Sequence, residues 1–120
     1  MSKSASFPDL MKVPADSAAA VFAPEPGLTR RVLAHNEQMM LVEHHMEKGW
    51  AGARHFHPHQ QLVYIIKGRF RFSCGEETFE VGSGDSFVIR GGVEHQAWAL
   101  EDGVMLDIFT PMREDYLPPA

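Results

Sequence analysis

Short runs of alternating residues, closed by glycines, constrain this chain more than any other feature of its sequence. In the run RFRFSC at 69–74, polar and apolar side chains alternate, so an extended backbone would turn them to opposite faces. Comparable runs rich in β-branched and aromatic residues occur at 29–35, 39–46, 62–67, 78–81, 85–90, 95–100 and 104–110. No segment offers a long helical periodicity with capping residues at its ends. The sequence therefore predicts an all-β fold, either a sandwich or a barrel.

The distribution of prolines divides the 120 residues into an arm and a single domain. Four prolines fall within residues 1–28, and proline cannot donate a hydrogen bond to a sheet ladder. We therefore expect an extended N-terminal arm at 1–28 with at most short strands. The strand pattern then fills a barrel domain at 29–117, and 118–120 form a C-terminal tail. The length is typical of one domain that buries its own core.

The charge and the apolar pattern exclude several classes of partner. The chain carries a net charge of -5 with its basic residues scattered, whereas nucleic-acid-binding domains cluster them on one face. Its apolar runs are too short to span a bilayer, and its N-terminus lacks the basic start and apolar core of a signal peptide. Cys74 is its one cysteine, so no intramolecular disulfide forms. We expect a cytoplasmic protein that contacts neither nucleic acid nor membrane.

The segment HFHPHQQ carries the clearest signal of chemistry. Because side chains two apart on a strand share a face, His55, His57 and Gln61 would lie on one side of it. His59 would join them if the strand stayed regular, but Pro58 favours an irregularity at this point. Two imidazoles on one side of a strand are a chelate for a first-row divalent metal.

His95 is the candidate for the third imidazole that such a site needs. The turn at 91–94 delivers it to the start of a predicted strand, next to which the first two histidines could lie. A third ligand would complete the set and leave positions open for water or substrate. A histidine-rich loop can also be merely solvated, so His55 and His57 alone would be a weak signal.

His44 and His45 form a second histidine pair, on the predicted strand at 39–46. Adjacent residues on a strand point to opposite faces, so at most one of them reaches the interior. Neither is predicted as a metal ligand.

The spacing of glycines around these histidines resembles the two motifs of the cupin family. The chain matches the first motif at His55, His57, Gln61 and Gly68. It matches the second at Gly84, Gly92 and His95, with Arg90 in place of the usual proline. The resemblance implies a double-stranded β-helix, or jelly-roll, barrel. It also implies one metal in the barrel lumen, with His55, His57, Gln61 and His95 as its ligands.

Gln61 stands where the cupin motif usually has glutamate, and this departure bears on the chemistry. A neutral amide leaves the charge of a divalent metal uncompensated by the protein, so such a centre attracts an anion and is a stronger Lewis acid. It is less suited to a high oxidation state, which favours proton transfer over dioxygenase chemistry. The identity of the metal stays open among Zn, Ni, Fe, Mn and Co, because these ligands accept several ions.

A longer pattern is similar to the KdgF group of small cupins from pectin and alginate breakdown. That group carries H-x-H-P-H-x-Q, as this chain does at 55–61, and ends in D-x-F-T-P-x-R-x-D with a final aromatic, matched here at 107–116. The resemblance covers most of 29–117, although Gln60 stands where the group often has glutamate. It implies conversion of a 4,5-unsaturated monouronate, a small anionic sugar acid, into its linear keto form. As in other small cupins, the chain would pair as a homodimer through strands at the barrel edge.

The resemblance and the strand pattern assign roles to four further residues. Asp107 lies between apolar neighbours on the last strand, where an unpaired carboxylate is costly to bury. It is the candidate general acid or base, although pairing with an arginine or with turn amides would also explain it. Arg113 would clamp the uronate carboxylate, or else lie in solvent beside a neighbouring acid. Phe109 would line the sugar pocket or pack in the core, and Gln60 could also face the substrate.

Two other classes of function stay open. A cupin lyase or dioxygenase would use the same metal on another small acidic substrate, and a non-catalytic cupin would only bind a small ligand. Gln61 counts against the dioxygenase, whereas Asp107 and Arg113 count against a bare binding module.

Overall fold

The computed structural model describes residues 7–17 and 21–118, and nine β-strands make up about half of this part of the chain. The strands are β1 Val21–Glu25, β2 Leu28–His35, β3 Met40–Met46, β4 Gln60–Lys67, β5 Phe70–Cys74, β6 Glu77–Val81, β7 Ser86–Ile89, β8 His95–Ala99 and β9 Gly103–Thr110. A single-turn 3-10 helix at Glu114–Tyr116 follows β9. Within the described residues, no helix has the length and apolar character that crossing a membrane requires.

The strands form two antiparallel sheets, in agreement with the predicted jelly-roll architecture. Six strands pair in the order β1-β2-β3-β9-β4-β7, and three pair in the order β6-β5-β8. β9, the last strand described, lies between β3 and β4 at the centre of the larger sheet. The all-β prediction is confirmed.

Burial alternates along β3, β4 and β9, and buried side chains from both sheets form two apolar clusters. The larger cluster contains Leu28, Met46, Val63, Ile65, Phe70, Phe72, Val81, Ala99 and Met105. The smaller cluster contains Val32, Met40, Val42 and Phe109. On the face of β2, β3 and β9 that carries the members of both clusters, one polar residue lies between them: Arg30, His44 and Asp107, respectively.

The second half of the predicted arm is part of the larger sheet. β1 pairs with β2 at the edge of this sheet, where Pro24 removes no hydrogen bond from a central ladder. Earlier in the arm, the carbonyl oxygens of Pro14 and Ser17 accept hydrogen bonds from the Arg31 guanidinium. The described part of the arm therefore contacts the domain and supplies one short strand. Residues 1–6 and 18–20 of the arm and 119–120 of the tail lie outside the described residues.

The segment before β4 runs along β8 and extends the three-stranded sheet. His55 and His95 exchange two backbone hydrogen bonds, of 3.0 Å and 2.8 Å. Further along, the amide of Gly52 donates to the carbonyl oxygen of Ala97 at 2.9 Å. This pairing brings the histidine-rich segment beside the start of β8.

The turn between β4 and β5 depends on Gly68, which has a φ of 86° and no room for a side chain. A Cβ there would lie 2.5 Å from the carbonyl oxygen of Asp102, whereas a Cβ at Gly84, with a φ of 89°, would meet nothing within 4 Å.

We expect Gly84→Ala to lower the free energy of unfolding by about 1–2 kcal/mol through backbone strain alone. Gly68→Ala should cost about 1–3 kcal/mol more, because the neighbouring backbone must move. Denaturant unfolding measures both variants, and equal losses would contradict the close approach at Gly68.

Candidate metal and substrate site

Three histidines that the sequence singles out come together in the structure. One ring nitrogen from each of His55, His57 and His95 lies within 4.8 Å of the others. His95 begins β8 opposite His55, and the carbonyl oxygen of His57 accepts a hydrogen bond from the Gly92 amide at 2.8 Å. His57 and His95 are buried and His55 is exposed, so the cluster is accessible from the His55 side.

The Nδ1 atom of each of the three imidazoles forms a hydrogen bond with a backbone carbonyl oxygen. The Nδ1 atoms of His55, His57 and His95 lie 2.9–3.0 Å from the carbonyl oxygen of a residue two positions away. A carbonyl oxygen only accepts, so Nδ1 carries the ring proton and Nε2 is left with a lone pair. Histidines that bind metals in proteins are oriented in this way.

Burial favours the neutral form of two of these rings. It lowers the pKa of His95 to about 4, and it lowers the pKa of His57 with a further contribution from the charge of Arg113. The Nε2 atom of His95 is buried and has no hydrogen-bond partner among the described residues. A buried polar atom without a partner is costly, and a metal ion is a partner that a neutral imidazole accepts.

Gln61 faces the cluster from β4, and Asp107 fixes the orientation of its amide. Gln61 Nε2 donates to Asp107 Oδ1 at 2.8 Å, which leaves Oε1 at 3.1 Å from Nε2 of His57. The reverse orientation would set the amide oxygen against the carboxylate. With the His57 proton on Nδ1, the facing Nε2 and Oε1 are both acceptors. A cation bound by both atoms would relieve the repulsion between these two acceptors, so the residues fit a divalent metal.

His59 does not join the cluster. Regular pairing of β4 begins at Gln60, so His59 lies just before the strand, next to Pro58. Its Nε2 contacts the carbonyl oxygen of Met112 at 3.1 Å. This histidine therefore ties the loop before β4 to the segment after β9.

Asp107 lies in the interior of the barrel, with 1% of its surface exposed. Its Oδ1 accepts the hydrogen bond from Gln61, and its Oδ2 lies 2.6 Å from Nδ1 of His44. The sequence suggests an arginine or turn amides as structural partners, but the observed partners are a histidine and a side-chain amide. His44 is thus the member of its pair that reaches the interior, whereas His45 is exposed.

Arg30 fixes the tautomer of His44. Its Nε donates to His44 Nε2 at 3.0 Å, and a guanidinium can only donate. His44 Nε2 is therefore an acceptor, which leaves Nδ1 as the ring atom that shares a proton with Asp107. The strand register explains these contacts, because Arg30 and His44 are directly opposite on β2 and β3, and His44 is a diagonal neighbour of Asp107 on β9.

A cavity of about 370 Å³ opens in front of these groups. Its walls include His55, His95, Gln61, Asp107, Arg30 and Arg113. The volume is in the range of small-molecule sites. The cavity therefore brings the metal cluster, a buried carboxylate and two arginines into contact with one small ligand.

Arg113 lines this cavity and is also paired with an acid. Its Nε and Nη2 donate to the two carboxylate oxygens of Asp115 at 3.2 Å and 2.7 Å, and its Nη1 donates to the Tyr116 hydroxyl at 3.0 Å. Burial alone would raise the pKa of Asp115, but the hydrogen bonds and charge of Arg113 outweigh it and lower that pKa. Arg113 therefore pairs with a neighbouring acid, as one alternative expected, but it lies in the cavity wall and not in solvent.

Two residues expected to touch substrate lie elsewhere. Gln60 is exposed and precedes the inward-facing Gln61 on β4, so strand alternation turns it to the outer face of the sheet. Phe109 is buried in the smaller apolar cluster, with its ring centroid 5.7 Å from that of His57. Neither lines the cavity. Phe109 therefore packs behind the metal cluster, and Gln60 is not placed to contact a ligand there.

Arg30, His44 and Tyr116 are parts of the site that the sequence reasoning missed. Tyr116 comes from the 3-10 helix, and its ring centroid lies 3.6 Å from Cζ of Arg30 and 4.1 Å from Cζ of Arg113. Burial raises the pKa of Tyr116, so its phenol stays protonated. The available signal was alternation, which puts Arg30 and His44 on the apolar faces of their strands.

The chain matches known proteins of one family over most of its length. Residues 42–109 match the model of the Cupin domain. The chain is 31% identical over 93 residues to the pectin degradation protein KdgF of Dickeya dadantii, across 76% of this chain and 84% of that protein. The structure of KdgF from Halomonas sp. matches with a TM-score of 0.78 and 34% identity, across 81% of this chain and 90% of that one. An RmlC-like cupin from Shewanella frigidimarina matches with a TM-score of 0.78 and 32% identity, across 81% and 87%.

His95→Ala should remove most of the bound metal, because it deletes a buried Nε2 that has no hydrogen-bond partner within residues 7–17 and 21–118. His59→Ala is the matched control, since this imidazole contacts a backbone carbonyl instead. After zinc loading and gel filtration, we expect about one zinc per chain in the wild type and in His59→Ala. The zinc affinity of His95→Ala should be weaker by roughly tenfold or more. Full zinc content of His95→Ala by elemental analysis would contradict this ligand set.

Proposed function

This chain belongs to the cupin family, and we propose that it is a metal-dependent enzyme that acts on a small sugar acid. The proposed reaction converts a 4,5-unsaturated monouronate into its linear keto form. The similarity to KdgF proteins supports this substrate class. The observation that carries the proposal is a three-histidine cluster, an amide oxygen and a buried carboxylate around one cavity.

The three histidines and Gln61 would hold the metal, the imidazoles through Nε2 and Gln61 through Oε1. These ligands are uncharged when bound, so a divalent ion there would act as a strong Lewis acid toward a substrate oxygen. Zn, Ni, Fe, Mn and Co all accept such ligands. A ligand set without a carboxylate also attracts an anion, and a uronate is an anion.

The proposed reaction is an isomerisation that needs no oxidant. Ring opening breaks the C1–O5 bond and releases the proton of the C1 hydroxyl, and the enol at C5 becomes a ketone when C4 takes up a proton. We assign this proton transfer to Asp107. Its carboxylate faces the cavity, and its contacts with Gln61 and His44 hold both oxygens while leaving lone pairs unused.

Arg113 is the proposed binding group for the uronate carboxylate. It lies in the cavity wall with 11% of its side chain exposed, and a guanidinium binds a carboxylate through charge-assisted hydrogen bonds. Each of its η nitrogens has two hydrogens, so pairing with Asp115 and Tyr116 leaves one on each for a substrate. The Phe109 ring supports the same group, with its centroid 5.2 Å from Arg113 Cζ.

The direct test is incubation of metal-loaded protein with 4,5-unsaturated galacturonate. We expect the enol-ether absorbance to disappear, the loss to stop after chelation of the metal, and the activity to return on adding metal back. Saturated galacturonate, which lacks the double bond, is the blank. If the loss matched a protein-free control with each of the candidate metals, the reaction would be rejected in favour of a ligand-binding role.

Asp107→Asn should lower kcat by roughly 100- to 10,000-fold, because it removes the group that exchanges the proton. The amide oxygen of asparagine can still accept the hydrogen bond from Gln61, so zinc content should stay near that of the wild type. Asp102→Asn is the control, since Asp102 is exposed and its carboxylate bonds only the Lys48 amide among the described residues. Steady-state kinetics on the unsaturated uronate, with zinc analysis of each variant, give the comparison. Wild-type turnover by Asp107→Asn would remove this residue from the mechanism.

The protein is further proposed to pair with a second copy of itself at one edge of the six-stranded sheet. β7 is the edge strand and pairs with β4. On the outer face of these strands, four apolar side chains are between 43% and 63% exposed: Leu62, Tyr64, Ile66 and Val88. Leu62 and Val88 are directly opposite in the register, so the patch is continuous. A two-fold axis would bury the same patch of both copies, which a monomer would leave in water.

Leu62→Glu should convert the dimer to a monomer, because it places a charge at the centre of this patch. Leu10→Glu is the matched control, since Leu10 is 70% exposed but lies in the arm. Light scattering at micromolar concentration should give twice the chain mass for the wild type and for Leu10→Glu. A monomeric wild type, or a dimeric Leu62→Glu, would contradict the proposed interface.

A further inference from the structure

Arg30 is a cation in the cavity wall without an acidic partner among the residues that the structure describes. Arg113, the other arginine of the wall, is held by Asp115 through a two-point contact. Arg30 uses only its Nε, and its two η nitrogens have no partner within residues 7–17 and 21–118. A guanidinium with four unused N–H groups beside a small-ligand cavity is a receptor for an anion.

Two contacts hold the Arg30 guanidinium in place before any ligand binds. Its Nε donates to His44 at 3.0 Å, and its Cζ lies 3.6 Å from the ring centroid of Tyr116. Stacking and the fixed hydrogen bond restrict a side chain that is otherwise flexible. An ordered fork loses less entropy when a ligand binds, which raises affinity.

Tyr116 also contacts both arginines of the wall with one ring. Arg113 Cζ lies 4.1 Å from the same ring centroid. We propose that Arg30 binds the carboxylate of the substrate through its η nitrogens, as the second arginine of a two-arginine site with Arg113. This inference rests on the proposed function, because it concerns the carboxylate of the uronate.

The connection from Arg30 to Asp107 matches the geometry that the reaction requires. One imidazole, that of His44, bridges the guanidinium and the carboxylate of Asp107. In a 4,5-unsaturated uronate, the carboxylate carbon is attached to C5, two bonds from the C4 atom that takes up a proton. A carboxylate bound at Arg30 therefore holds C4 on the side of the cavity where Asp107 lies.

Arg30→Gln separates the two roles of this residue. The amide nitrogen of glutamine occupies the same position along the side chain as arginine Nε, so the donor to His44 is kept while the η nitrogens and the charge are removed. We expect KM for unsaturated galacturonate to rise roughly 10- to 100-fold, with kcat within about threefold of wild type. Arg71→Gln is the control with the same charge change, since Arg71 is exposed and pairs with Glu80. Arg30→Met, which also removes the donor to His44, should lower kcat as well.

A binding measurement tests the inference without any turnover. D-galacturonate and D-galactose share a ring and differ in the carboxylate, and Trp50 in the cavity wall reports binding by its fluorescence. The zinc-loaded wild type and Arg71→Gln should prefer the acid by roughly 10- to 100-fold. Arg30→Gln should lose most of this preference while its zinc content stays unchanged. If that variant does not fold, Arg30→Lys replaces it, and its preference should fall because the planar fork is gone.

The outcomes distinguish this inference from the proposed function. An acid preference that is absent in the wild type, or unchanged in the Arg30 variant, overturns the role of Arg30. Turnover of the unsaturated uronate with an unchanged KM in Arg30→Gln overturns it as well, but leaves the proposed function intact. Loss of the acid preference in a protein that does not turn over the uronate supports the anion site and rejects the reaction.

Discussion

A continuous row of hydrogen-bonded polar side chains crosses the interior of the barrel, and the rest of the site depends on it. The row leads from Arg30 through His44 and Asp107 to Gln61, across four neighbouring strands of the larger sheet. A polar group buried without a partner costs roughly 2 to 7 kcal/mol, so these residues are tolerated inside only as a complete set. The two apolar clusters pack on either side of the row, while the row itself lines the cavity.

The direction of the hydrogen bonds in this row follows from its two ends. Arg30 can only donate, which makes one nitrogen of His44 an acceptor and turns the other toward Asp107. Asp107 accepts from the Gln61 amide on its other oxygen, and the amide oxygen of Gln61 is thereby turned toward His57. The row thus has a cation at one end, an anion in the middle and a set of lone pairs suited to a second cation at the other end. Such alternation of charge strengthens each bond in a low-dielectric interior.

The sequence predicts those parts of the site in which the direction of a side chain follows from the residue pattern of a single strand. The spacing of His55 and His57 places both imidazoles on one side, and alternation along β9 turns Asp107 inward, as observed. The partners of Asp107 depend instead on which strands become neighbours. β9 inserts between β3 and β4, which are distant from it in the sequence, and no local pattern specifies that order.

The residues around the cavity show the same division between local and non-local information. Gln60 could have been set aside from the sequence, because it is adjacent to Gln61 and alternation allows only one of them to face inward. Tyr116 could not have been placed, since its position depends on how the segment after β9 folds back over Arg30. The histidine cluster required both kinds of information, with the spacing of two ligands read from one segment and the third supplied by pairing with β8.

The polar row also restricts how the strands of the larger sheet can align. A slip of one residue between two of these strands would turn a charged or amide side chain to the outer surface and leave its former partner buried and unpaired. A slip of two residues would press the same side chain into one of the apolar clusters. Misaligned sheets are therefore penalised at four strands, in addition to the cost of misplacing their apolar side chains. The groups that face the cavity thus also help to select the correct strand register. A substitution among them therefore affects the fraction of chains that fold in that register as well as the chemistry.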